Sequence, residues 1–79
     1  MIDKEGFRGW LRENTELSDK VIRDTVSRMS RVDAIRAWSK ADTYLFKVEQ
    51  ADQFKDMTLS VKSQCRKAVR LYTEFAHSK

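Results

Sequence analysis

The sequence predicts an all-α protein, a compact bundle of four helices, and three observations lead there. Proline is absent and glycine occurs twice, so little interrupts a regular backbone. Apolar residues recur at i, i+3 and i+4, the period of a half-buried helix, and no long alternating run argues for strands. Serines of the kind that cap helices stand before three of the periodic stretches.

Helix one is predicted from about Asp3 to Glu13. Phe7, Trp10 and Leu11 give it one apolar face, with Arg8, Arg12 and Glu13 turned outward. Asn14, Thr15 and Glu16 read as a turn. Ser18 then caps helix two, its hydroxyl placed to accept an otherwise unpaired N–H. Leu17 and Ile22 have the spacing of a hydrophobic staple across that cap. The helix is expected to reach Ile35 or Arg36, burying Ile22, Val26, Met29 and Val32 or Ile35 with help from Val21. Lys20, Arg23, Ser27, Ser30 and Arg31 fall on the other side, with Arg28 on a flank. Asp19 and Asp24 sit in the first turns, where the helix dipole favours negative charge.

Ser39-Lys40-Ala41-Asp42 has the spacing of a capping box, so helix three is expected from Lys40 to Gln50, with Ala41, Tyr44, Leu45 and Val48 as its inner face. Residues 51–58 read as a looser connection, with one extra helical turn holding Phe54 and Met57 on the core. Ser60 is expected to cap helix four, which runs to about Ala76 on a stripe of Val61, Cys65, Ala68, Val69, Tyr72, Phe75 and Ala76. Opposite that stripe stand Lys62, Arg66 and Arg70, flanked by Ser63 and Lys67. Like charges at i, i+4 repel by a few tenths of a kcal/mol each. No acid lies on that line, so something negative is expected to meet it.

The chain has 79 residues, room for a single domain over 1–79. A chain of that size buries only about 60% of its unfolded surface, which excludes a large enzyme with a deep cleft. The net charge is +4 and the isoelectric point about 9.5, above the rough threshold for a nucleic-acid footprint. Cys65 is the only cysteine, which excludes an internal disulfide and any cysteine-cluster metal site. A reduced, cytoplasmic setting follows. The start is charged from Asp3 onward, unlike a secretory signal. No apolar run approaches the ~20 residues that span a bilayer.

Chemistry-bearing residue types have structural readings. Tyr44 and Tyr72 lie on apolar faces without an acid–base cluster and read as core side chains with bonded hydroxyls. His77 has no ligand partner and reads as a last-turn residue. Cys65 reads as a small core residue, Trp10 and Trp38 as core aromatics, and Glu49 and Asp52 as solvated acids. Gly6 and Gly9 belong to helix one and form no phosphate loop. No catalytic residue, metal or cofactor is expected.

One phrase occurs twice, Leu17-Ser18-Asp19-Lys20-Val21-Ile22-Arg23 and Leu59-Ser60-Val61-Lys62-Ser63-Gln64-Cys65-Arg66, each a cap followed by a cationic helix. With Phe7-Arg8-Gly9-Trp10-Leu11 and Ala68-Val69-Arg70-Leu71-Tyr72-Thr73-Glu74-Phe75, these segments resemble the N-terminal core-binding domain of tyrosine recombinases, the phage-integrase type. The resemblance covers nearly the whole chain and implies a SAM-like orthogonal four-helix bundle. It implies a DNA-binding module that forms half of a clamp on a recombination site, with helices two and four against the major groove and backbone. Carried over, the DNA-binding residues are Lys20, Arg23, Ser27 and Arg31 on helix two, and Lys62, Ser63, Arg66, Lys67 and Arg70 on helix four. The implied partners are double-stranded DNA and other protomers of a recombinase assembly, with no membrane.

The sequence departs from the family pattern in three ways. Val21-Ile22 replaces the usual Thr-Ile, the segment from Trp38 to Met57 is less typical, and the family's catalytic arginines, histidines and tyrosine belong to a separate domain that maps nowhere here. The chain is then either a piece of a recombinase or a stand-alone domain. Met1 and Lys79 close to the outer helices favour a second expectation, a helical adaptor or inhibitor from a mobile element that binds protein.

Overall fold

The computed structural model describes residues 2–78. Among them the chain forms five helices: α1 (Lys4–Asn14), α2 (Asp19–Ile35), α3 (Tyr44–Glu49), α4 (Asp52–Lys55) and α5 (Leu59–His77). The three long ones match the predicted amphipathic stretches to within a residue or two at each end, and α4 is the extra turn expected between Ala51 and Thr58. The all-α class stands, with a Cα radius of gyration of 11.9 Å, close to the ~12 Å of a compact chain this long.

Caps set the helix starts. The Asp3 carboxylate accepts the Gly6 N–H at 3.0 Å, and a Cβ at residue 6 would collide with that carboxylate. Ser18 accepts the Val21 N–H at 3.3 Å, as predicted, with Leu17 half-buried and Ile22 buried beside it. The start of the last helix differs from expectation. Thr58, not Ser60, is the cap and accepts the Val61 N–H at 3.2 Å. Leu59 thereby becomes the first helical residue and is 82% exposed. The two Leu-Ser phrases are therefore not equivalent: the serine caps in the first and lies inside the helix in the second.

The start of α3 also differs. Residues 39–41 carry no regular structure, and the helix begins at Tyr44, with Thr43 in the cap position. The reason is tertiary. The Trp38 indole stands edge-on to both Tyr44 and Tyr72, each with ring centroids 5.0 Å away. The Trp38 backbone N–H donates to Asp33 Oδ1 at 2.9 Å, and the Tyr44 hydroxyl donates to the Arg36 carbonyl at 2.6 Å. These contacts fix Trp38 and Tyr44 at the two ends of a non-helical segment after α2. Ala41, expected on the inner face, is exposed.

The core lies where α1, α2 and α5 meet. Phe7, Leu11, Met29, Val32, Val48 and Cys65 are fully buried. Phe7 packs edge-on against Tyr72 with centroids 5.0 Å apart, and contacts Phe75 and Trp10 at 5.7 and 6.5 Å. The Asp3 N–H donates to the Tyr72 hydroxyl at 3.0 Å, tying the start of α1 to α5. An aromatic chain thus runs from Trp10 through Phe7, Tyr72 and Trp38 to Tyr44, linking α1, α5 and α3. Val21, expected to help line the core, is 39% exposed.

Candidate nucleic-acid interface

α1 and α2 run antiparallel, and a furrow of about 490 Å³ lies between their outer edges. Lys4 and Arg8 form one bank, and Arg23, Ser27, Ser30 and Arg31 the other, over a floor that includes Val26 and Ala34. Lys4 and Arg8 are one helical turn apart, as are Arg23, Ser27 and Arg31 in sequence, so each row keeps to one edge of its helix. Among the described residues, none of Lys4, Arg8, Arg23 and Arg31 is within 4.0 Å of a carboxylate, since the ion pairs there are Arg12–Asp19 and Arg66–Glu49.

The seam between α2 and α5 is a second, smaller depression, lined by Val21, Asp24, Thr25, Arg28, Gln64 and Lys67. The Arg28 Nε–H donates to Gln64 Oε1 at 2.8 Å and ties the helices together. Arg28 and Arg31 stand close enough to oppose, electrostatically, the upward push that burial gives the Cys65 thiol pKa.

Lys62 and Arg66 lean to the other side of α5, over the Phe54 ring, with Nζ 6.0 Å and the guanidinium carbon 5.4 Å from its centroid. Arg66 also grips Glu49 of α3, both Nε and Nη2 lying 2.9 Å from Oε2. Glu49 was expected to be solvated. It is half-buried and supplies from within the protein the negative partner that the α5 cations call for. Arg70 borders a third depression beside Trp38, Tyr44, Glu74 and His77. Burial, reinforced by Asp33, pushes the Tyr44 phenol up to about 12, with Arg36 opposing.

The predicted site residues therefore do not form one wall. Arg23, Ser27 and Arg31 gather in the α1–α2 furrow, and Lys20 is exposed in the first turn of α2. Lys67 lies at the α2–α5 seam, Ser63 is exposed on α5, Arg70 borders the Trp38 depression, and Lys62 and Arg66 sit against Phe54. Sequence reasoning missed Lys4 and Arg8, although Lys4, Arg8 and Arg12 repeat at i, i+4 and i+8. It also passed over Arg28, whose flank position matters only because α5 packs there.

No group of three His, Cys, Asp or Glu residues able to hold a metal occurs among the described residues. Nor is any described helix long and apolar enough to cross a membrane. Comparison with protein-family models, curated proteins and solved structures yields no match to this chain.

Proposed function

We propose that this chain is a non-catalytic DNA-binding module, a variant of the SAM-like core-binding domain of tyrosine recombinases. Its α4 is one helical turn added to the four-helix plan. α2 is the centre of the contact, through Lys20, Arg23, Ser27 and Arg31. From α5 come Lys67 and Arg70, with Ser63 beside them, while Lys62 and Arg66 are largely occupied by Phe54 and Glu49. Backbone contacts of this kind position a protein on the duplex, and base edges in the groove supply any sequence choice.

The observation that carries the reading is the run of exposed cations on α2 without acidic partners among the described residues. Such a surface is repulsive by itself and gains free energy when it displaces counterions from a polyanion. A titration with duplex DNA at two salt concentrations, followed by NMR, tests it. Amide shifts should concentrate in α2 and the Lys67–Arg70 turn and weaken steeply at the higher salt. Shifts that are absent, or indifferent to salt, would defeat the reading.

A second reading, a module that binds protein, is favoured by Phe46 and Leu59, which are 64% and 82% exposed. It predicts no salt-dependent response to DNA.

A further inference from the structure

We infer that the α1–α2 furrow is a track for the sugar-phosphate backbone of one DNA strand, held from both banks by Lys4 and Arg8 of α1 and by Arg23 and Arg31 of α2. The inference rests on the DNA-binding reading and alters its geometry. One strand lies between α1 and α2, so that α1 joins the contact and Lys67 and Arg70 of α5 stand at its margin.

Charge distribution separates the furrow from the other depressions. The α2–α5 seam includes Asp24, and the Trp38 depression includes Asp42 and Glu74. Beyond Arg8 the furrow meets Asp19, which pairs with Arg12 at 3.5 Å, and beyond Lys4 it meets Glu5 and Asp33. Between those ends the lining has, among the described residues, four cations and no carboxylate. Opposed cations on facing banks repel one another, and a surface shaped only for solubility would interleave acids there. A row of negative charge along the furrow removes that repulsion.

The dimensions suit a single strand. Arg23 to Arg31 is eight residues, about 12 Å along the helix axis. A strand of B-DNA rises ~3.4 Å per phosphate but winds around the axis, so consecutive phosphates lie about 7 Å apart along the strand and the acid-free stretch spans two or three of them. The Ser27 and Ser30 hydroxyls can donate to phosphate oxygens, and the small side chain of Ala34 leaves room for the sugars.

Salt-dependent binding tests this with the full chain and a short fluorescent DNA duplex, measured by anisotropy across a potassium chloride titration. Two double variants remove the same number of charges, K4Q/R8Q from the furrow and K67Q/R70Q from α5. All four side chains are exposed and outside the core, and a melting curve of each variant checks the fold. K4Q/R8Q should flatten the log–log salt dependence by about 2, near 0.9 for each lost phosphate contact, and weaken binding about tenfold at low salt. R23Q/R31Q, on the opposite bank, should repeat that effect, and K67Q/R70Q should flatten the dependence by less than half as much. If K67Q/R70Q matches or exceeds K4Q/R8Q, the track is wrong while the DNA-binding reading stands. If the unaltered chain shows no salt-dependent binding to the duplex, both fall.

Discussion

Two rows of cations repeat at the same one-turn spacing and meet different surroundings. On α5, Lys62 and Arg66 lie over Phe54, and Arg66 closes on Glu49 at 2.9 Å. On α1, Lys4 and Arg8 face Arg23 and Arg31 across an open furrow with no acid between them among the described residues. Like charges at i, i+4 report only that a negative partner stabilises the row. Whether that partner is part of the protein depends on what the rest of the fold brings near. α3 delivers Glu49 to α5, and no element delivers an acid to the middle of the furrow. One row is internal glue, and the other is an exposed cationic surface.

The largest effect comes from removing what supports both regions. Phe7 is fully buried and joins α1, which carries Lys4 and Arg8, to Tyr72 and Phe75 of α5. Phe7→Ala should cost about 3–5 kcal/mol in urea denaturation. Chains of this size hold on the order of 0.05–0.15 kcal/mol per residue, about 4–12 kcal/mol over 79 residues, so the variant should lose a quarter or more of its stability and loosen the furrow with the fold. A loss below about 1 kcal/mol would mean that the aromatic chain does not support the two regions together.

A subtler change makes one row resemble the other. Glu49→Gln removes the internal partner of Arg66 and leaves the α5 cations as uncompensated as those of the furrow. The pair is partly solvated, its side chains 42% and 31% exposed, so the stability loss should be about 1 kcal/mol and should shrink in high salt. Because Arg66 lies over Phe54 and away from the furrow, the salt dependence of DNA binding should change by well under the ~0.9 of one phosphate contact, read by the same anisotropy titration. A variant whose salt dependence steepens by about 1 would show that the released Arg66 reaches the bound strand and that the contact extends beyond the furrow.

Much of the scaffold was legible in the sequence. The i, i+3, i+4 spacing of Phe7, Trp10 and Leu11, and of Ile22, Val26 and Met29, marks α1 and α2 because a helix buries one stripe whatever its neighbours are. The Ser18 cap was legible for the same local reason. The start of α5 was not, because Thr58 and Ser60 are both competent caps and sequence spacing does not rank them. Thr58→Ala should therefore cost about 1 kcal/mol of thermal stability, while Ser60→Ala should stay within about 0.5 kcal/mol. Equal losses would mean that both hydroxyls share the cap. The site was half legible. Arg23, Ser27 and Arg31 stood out on α2, but pairing them with α1 rather than α5 required knowing which helix edge lies beside which. Glu49 was misread because its partner is distant in sequence and α3 is placed by Trp38 and Tyr44, not by a cap of its own.

That placement yields the smallest effect and the most specific signature. Tyr44 holds the start of α3, the helix that brings Glu49 to Arg66, through its hydroxyl bond to the Arg36 carbonyl. Arg36 is exposed, so water can replace the lost donor, and Tyr44→Phe should cost only about 0.5 kcal/mol at neutral pH. The sign then depends on pH. The phenol titrates near its ordinary value of 10.0 in the unfolded chain and near about 12 in the native one, because burial disfavours the phenolate. Between those values the unfolded chain releases a proton that the folded chain keeps, so stability falls as pH rises through the window. Phenylalanine has no such proton, and the lysines titrate alike in both proteins. The advantage of tyrosine, complete below pH 10, should therefore shrink and then reverse as pH approaches 12 in paired denaturation curves. A gap that stays constant through that window would mean that the phenol is no harder to ionise in the native protein than in water.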